Sequence, residues 1–299
     1  SLNGENNIQI HRQIGKFRCT GWNRPAIMNA SSALCGPSSW CLMGFMRNLV
    51  LAVVLTLSVC GGSAAAGEAT VATATNFAVA AERIAKKFQA QSGHVITLVG
   101  SSTGKLASQV MFGAPFDVLL AADQARPKRL LDDGHAVNGS RFTYARGRLV
   151  LWGGDAAKLK GASAADILQA GQYKRLSIAN PDVAPYGAAA WQVLHRLGLE
   201  ETIKDKLIYG ENIQQAYAFA ASGNTDLTLV ALSFMLGART ADSGGYSEVP
   251  AELHEPILQD AVLLKRGKDN QAAIAFLAFL KSPEALLVMQ DFGYSSGAP

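Results

Sequence analysis

TVATATNFAVAAERIAKKFQAQSGHVITLVGSSTGKL, residues 70–106, sets out one alternation twice. Residues 70–74 (TVATA) are short and rich in threonine, valine and alanine, which reads as a strand. Phe77, Ala81, Ile84, Ala85 and Phe88 then recur at helical spacing, with Glu82, Arg83, Lys86 and Lys87 off that stripe. Gly93 stops the helix, and residues 95–99 (VITLV) form a second strand. A second helix follows Ser101, Ser102 and Thr103 and runs to about Phe112. Strand, helix, strand, helix is the signature of an α/β fold.

Downstream the pattern continues. Strands are expected at 117–121, 148–152, 176–179, 207–209, 227–230 and 257–264. Helices are expected at 125–133, 188–198, 212–222, 269–281 and 283–292, the last with Pro283 near its start. No glycine-rich linker and no internal repeat divides the chain. So many α/β segments exceed one compact sheet, and two lobes joined by direct crossovers account for them.

Upstream the composition changes. The 299 residues carry a formal charge of +4, and the excess lies in residues 1–66, where Arg12, Lys16, Arg18, Arg24 and Arg47 face one acid, Glu5. The remainder is balanced, which argues against a nucleic-acid binder. With 49% hydrophobic and 17% charged residues the chain is too apolar for a disordered protein. Cys19, Cys35, Cys41 and Cys60 also precede residue 67, so the rest can form no disulfide and no thiolate metal site. Five scattered histidines show no metal-ligand spacing.

Residues 46–66 have a basic start, an apolar run (LVLAVVLTLSVC, 49–60) and a small-residue exit ending in Ala64, Ala65 and Ala66. These are the parts of a secretory signal peptide, and the run is too short to span a bilayer. Acylation of Cys60 is the competing reading, weakened by Val59 just before it. Residues 1–45 read as an upstream extension without packed structure.

Four strand-to-helix junctions carry the chemistry. Thr75 and Asn76 sit where the first helix begins, a place where capping alone would explain them. Ser102 and Thr103, in GSSTGKL (100–106), place hydroxyls at a helix N-terminus, which is an anion site. That stretch is not a nucleotide phosphate loop: three residues separate its glycines, and Leu106 follows Lys105. Lys105 reads as a solvated helix residue. In NPDVAPYG (180–187), Tyr186 offers a phenol that is protonated at neutral pH, or else serves packing alone. At Gly210-Glu211-Asn212-Ile213, Asn212 caps a helix whose first N–H groups, including that of Ile213, are unpaired. Asp182 and Glu211 read as solvated. Together the junctions offer donors and no obligatory cation, which suits a fully deprotonated oxyanion.

These stretches, with GAPFDVLLAAD (113–123) and RFTYARGRLVLW (141–152), resemble the periplasmic molybdate-binding proteins of molybdate ABC transporters, within the type II periplasmic solute-binding proteins. The resemblance covers residues 69–299. It implies a two-lobed fold, each lobe a sheet flanked by helices, with the ligand in the cleft. Lobe 1 would take 67–147 and 247–299, and lobe 2 would take 148–246. It implies capture of molybdate, with tungstate, for an inner-membrane permease, by a periplasmic monomer without enzymatic activity or cofactor. Molybdenum would enter only as the oxyanion, without direct protein ligands. Carried over by position, the donors are Thr75, Asn76, Ser102 or Thr103, Tyr186 and the N–H of Ile213, with ungapped counting favouring Thr103. One branch of the family uses a later tyrosine, and at 229–233 (LVALS) this chain has none. Sulfate capture in a similar fold is the first alternative. An exported hydrolase using a hydroxyl of 101–103, with His195 brought near by folding, is the remote one.

Overall fold

The computed structural model describes residues 66–159, 161–237 and 244–295, all within the unit Ala64–Pro299. The extension, Cys60 and all of the signal peptide except Ala66 lie outside these residues.

Ten strands are found among the described residues, five in each of two sheets. The first sheet holds β1 (Glu68–Ala74), β2 (Val95–Ser101), β3 (Val118–Leu120), β4 (Phe142–Gly147) and β10 (Ile257–Leu263) in the order β2-β1-β3-β10-β4. β1 pairs in parallel with β2 and β3, while β10 runs antiparallel to β3 and β4. The second sheet holds β5 (Leu149–Gly153), β6 (Leu176–Ala179), β7 (Leu207–Gly210), β8 (Leu227–Ala231) and β9 (Gly245–Glu248) in the order β7-β6-β8-β5-β9. There β6 is parallel to β7 and β8, and β5 is antiparallel to β8 and β9. In each sheet the fourth strand in order is the one that has just crossed from the other lobe.

Helices α1 (Ala78–Ser92), α2 (Thr103–Met111) and α3 (Ala125–Asp132) follow the strands of the first sheet. The second lobe carries α4 (Ala164–Ala170), α5 (Pro185–Arg196), α6 (Glu200–Ile203), α7 (Ile213–Ala221) and α8 (Leu232–Gly237). The last two, α9 (Gln271–Phe279) and α10 (Pro283–Asp291), return to the first.

The α1 stripe behaves as its spacing predicts: Phe77, Ala81, Ile84, Ala85 and Phe88 are all buried, and Gly93 ends the helix at φ +74°. β1 serves both faces of its sheet. Val71 joins Ile84, Phe88 and Phe276 in one core, and Ala72 joins Leu106 and Leu130 in the other. Each large side chain so buried contributes about 1.5–3 kcal/mol. A separate core, with Leu151, Ile178, Val193 and Leu229, holds the second lobe.

β4 and β9 lie outside the expected strands, and α4, α6 and α8 outside the expected helices. Because β9 pairs with β5, the chain stays in the second sheet through Glu248, past the expected division between 246 and 247.

Candidate functional site

At the carboxyl ends of the parallel strands of both sheets lies a small cavity, about 200 Å³ including its mouth. Ligands in open α/β sheets bind at this end, where helices begin and their N–H groups point outward. Its walls are Ala74, Thr75, Asn76, Ser102, Thr103, Ala122, Ala184, Pro185, Tyr186 and Ile213. All six residues singled out from sequence line it, and no ionisable side chain other than the Tyr186 phenol does.

Thr75 and Asn76 follow β1 but do not cap α1, whose N-cap is Phe77 and has no side-chain cap. The capping explanation therefore fails. Thr75 is held by its N–H to Ser101 O at 3.1 Å. The Asn76 carboxamide is committed inward: Nδ2 donates to Gln259 Oε1 at 2.9 Å and to Tyr294 Oη at 3.1 Å. Both hydrogens of that nitrogen are used, so the donor Asn76 can turn to the cavity is its backbone N–H.

Ser102 is the N-cap of α2, yet its hydroxyl caps nothing. Its Oγ is the single buried side-chain polar atom without a partner among the described residues. Thr103 is equally buried, but its Oγ1 accepts Ala122 N–H at 3.0 Å. The choice that residue counting tipped toward Thr103 thus tips toward Ser102. An orphan hydroxyl in a cavity wall costs about 1–3 kcal/mol unless something pairs with it.

From the second lobe, Pro185 at the first turn of α5 presents Tyr186, 2% exposed. Gly187 lets α5 close on β6, since a Cβ there would come within 2.7 Å of the Ala179 carbonyl carbon. Burial pushes the Tyr186 phenol well above its ordinary pKa, so it stays a protonated donor. Its oxygen accepts Gln259 Nε2 at 3.2 Å, and no acceptor for its own proton is found among the described residues. Ile213 opens α7, where Asn212 Oδ1 takes the N–H of Gln215 and leaves that of Ile213 to the cavity.

The rim is charged, and the side chains of Lys105, Asp182 and Glu211 keep the solvent contact read for them from sequence. Lys105 Nζ meets Glu211 Oε2 at 2.6 Å across the cleft, which lowers the Glu211 pKa. Arg126, held by Asp123 at 2.5 Å, donates to Asp182 O at 2.7 Å, and Gly104 N–H reaches Val183 O at 2.9 Å. Glu211 and the Asp182 backbone are thus cross-lobe partners.

Comparison with known proteins decides the family. Residues 69–295 match the model for bacterial extracellular solute-binding proteins. The chain belongs to that family. Within it, the molybdate-binding protein ModA of Rhodobacter capsulatus is 45% identical over 246 residues, covering 82% of this chain and 93% of its own. The solved periplasmic molybdate-binding protein of Azotobacter vinelandii superposes with a TM-score of 0.72 at 35% identity, over 77% of this chain and 99% of that one. The sulfate-binding protein SubI of Mycobacterium tuberculosis shares the fold at 15% identity and a TM-score of 0.66, over 78% of this chain and 88% of that one.

For a solute-binding protein the shell behind the ligand groups matters as much as the groups themselves, and sequence reading missed it. Tyr144 Oη lies within reach of Ala121 O and Gln259 Oε1. Tyr294 donates to Asn76 O at 2.7 Å, and Ser233 from the second lobe donates to the same oxygen at 2.8 Å. Gly147 makes room for the assembly: a Cβ there would overlap Tyr186 Oη and approach Gln259 Nε2 to 2.6 Å. The one available signal was Gln259 and Asp260 interrupting the apolar strand 257–264.

Proposed function

We propose that this protein captures molybdate, and tungstate with it, in the periplasm as a monomer and delivers it to an inner-membrane ABC permease. The observation that carries the reading is a cavity walled by both lobes in which the available groups are donors: the hydroxyls of Thr75, Ser102 and Thr103, the Tyr186 phenol, and the N–H groups of Asn76 and Ile213. A tetrahedral oxyanion without protons accepts from every side and needs nothing else. Helix N-termini supply partial positive charge without a fixed cation, which favours release. The 45% identity to a molybdate-binding protein supports the choice of anion.

The hydrolase reading loses its base. His195 lies in the last turn of α5, about 14 Å along the helix from Tyr186, and its Nδ1 is engaged by Glu200. Isothermal titration with molybdate, tungstate, sulfate and phosphate tests the proposal. Saturable, tight binding of the first two is expected. Equal or tighter binding of sulfate would overturn it.

A further inference from the structure

Gln259 is fully buried on β10, at the point where its pairing with β4 shifts register between Gln259 and Asp260. Its carboxamide lies behind Tyr186 and is held at both ends. Oε1 accepts Asn76 Nδ2 at 2.9 Å and lies 3.1 Å from Tyr144 Oη. Nε2 lies 3.2 Å from Tyr186 Oη. We propose that Gln259 is a positioning residue that fixes the direction of the Tyr186 proton, and so makes the cavity reject oxyanions that still carry one.

The direction is anchored by a group that cannot reverse. The backbone carbonyl of Asn76 can only accept, and it takes the Tyr294 proton at 2.7 Å. The Tyr294 oxygen is then free to accept one hydrogen of Asn76 Nδ2, at 3.1 Å. The other hydrogen goes to Gln259 Oε1. A reversed Gln259 amide would set its NH2 against the NH2 of Asn76, donor against donor. Gln259 therefore points Nε2 at Tyr186, and an amide nitrogen only donates. The Tyr186 oxygen accepts, and its own proton, for which no acceptor is found among the described residues, turns to the cavity.

The consequence is chemical selection. Molybdate, tungstate and sulfate present bare oxygens to that proton. Hydrogen phosphate and hydrogen arsenate, with a proton to place, would meet O–H against O–H at any orientation that turns their hydroxyl to Tyr186. Gln259 is on the first sheet and Tyr186 on the second lobe, so the last link forms only when the lobes meet.

This inference rests on the oxyanion reading above. The test is a double-mutant cycle read by titration with molybdate, joined to a selectivity measurement. Gln259→Met keeps the volume and removes the donor, and should weaken molybdate about tenfold. In the Tyr186→Phe background the same change should alter affinity by less than about twofold, because no phenol proton remains to direct. Gln259→Glu places an acceptor behind Tyr186, turns its proton inward, and should lower the ratio of molybdate to hydrogen phosphate affinity at least a hundredfold. An equal loss from Gln259→Met in both backgrounds would mean that the residue only supports the fold, and would overturn the proposal. So would wild-type selectivity in Gln259→Glu. If Gln259→Met fails to fold, the Glu variant decides alone, and if that also fails, Gln259→Asn, with its amide withdrawn from Tyr186, is judged by the same cycle. A wild-type protein that binds no oxyanion would instead overturn the functional reading beneath.

Discussion

Ser102 stands where a capping residue belongs and does not cap. Ser163, Asn212, Asn270 and Ser282 occupy the same position on other helices, and each accepts a backbone N–H. An ordinary N-cap serine replaced by alanine costs about 1 kcal/mol of stability. Ser102→Ala should therefore leave the melting temperature of the ligand-free protein nearly unchanged while weakening molybdate about ten- to a hundredfold, the worth of a hydrogen bond to a charged group. Calorimetry and titration on one sample check both halves, and a large drop in melting temperature would return Ser102 to a structural role. Lys105→Ala should change affinity by less than about threefold, and less still in high salt, because its pairing with Glu211 is solvent-exposed. A loss as large as that of Ser102→Ala would make Lys105 part of the anion site. At this scale the sequence was legible in residue type but not in orientation. Four junctions rich in donors were visible by spacing. Whether Ser102 or Thr103 faces the cavity depends on the Ala122 N–H, which arrives from the bend after β3, and the inward turn of the Asn76 amide depends on Gln259 and Tyr294, far along the chain.

Between residue and molecule stand the two strands on either side of Arg148. β4 belongs to one sheet and β5 to the other, with Arg148 alone between them. Neither strand can slide, because β10 holds β4 and both β8 and β9 hold β5. Gly147 therefore has no freedom to absorb a side chain. Gly147→Ala should force Tyr186 out of position, abolish measurable molybdate binding and lower stability by about 1–3 kcal/mol, the usual cost of overpacking. Gly154→Ala, where a Cβ meets nothing within 4 Å, should do neither. Chemical denaturation and titration of the pair test this, and normal binding in Gly147→Ala would mean that Tyr186 is not held where the structure puts it. The apolar strands β5, β6 and β8, buried along their length, announced themselves by composition. β4 did not, because Arg146 and Gly147 break its apolar pattern, and β9 (GYSE) has no apolar run at all. Both are strands because a partner lies beside them, which a local window does not see.

Over the whole molecule, one titration follows from burial and one motion from how the lobes meet. Tyr144, Tyr186 and Tyr294 are buried, and desolvation raises the pKa of each above the ordinary value of about 10. A raised folded pKa stabilises fully below the unfolded value and is lost as pH climbs through the folded one. Melting temperature and affinity should accordingly be flat in these phenols from pH 7 to about 9, with stability falling above about pH 10 as the unfolded chain sheds protons the native state keeps. Differential scanning calorimetry across that range checks it, and a phenol-dependent loss of stability near pH 8 would contradict the burial. The motion follows from which contacts cross the cleft. Gly104 to Val183, Arg126 to Asp182, Lys105 to Glu211 and Ser233 to Asn76 all join the lobes around the cavity. Apart from the exposed ion pair, each is a hydrogen bond that water replaces when the lobes part, so none holds the closed form strongly without ligand. The anion accepts from donors on both lobes at once and so has differential affinity for the closed form, which is the condition for shifting the population. Small-angle scattering should show the radius of gyration falling when molybdate is added to the ligand-free protein. Tyr186→Phe, lacking one cross-lobe donor, should need more molybdate to reach the same compaction. An unchanged profile at verified saturation would mean that the lobes are already closed before the anion arrives, and the route by which it enters a cavity walled from both sides would then have to be local.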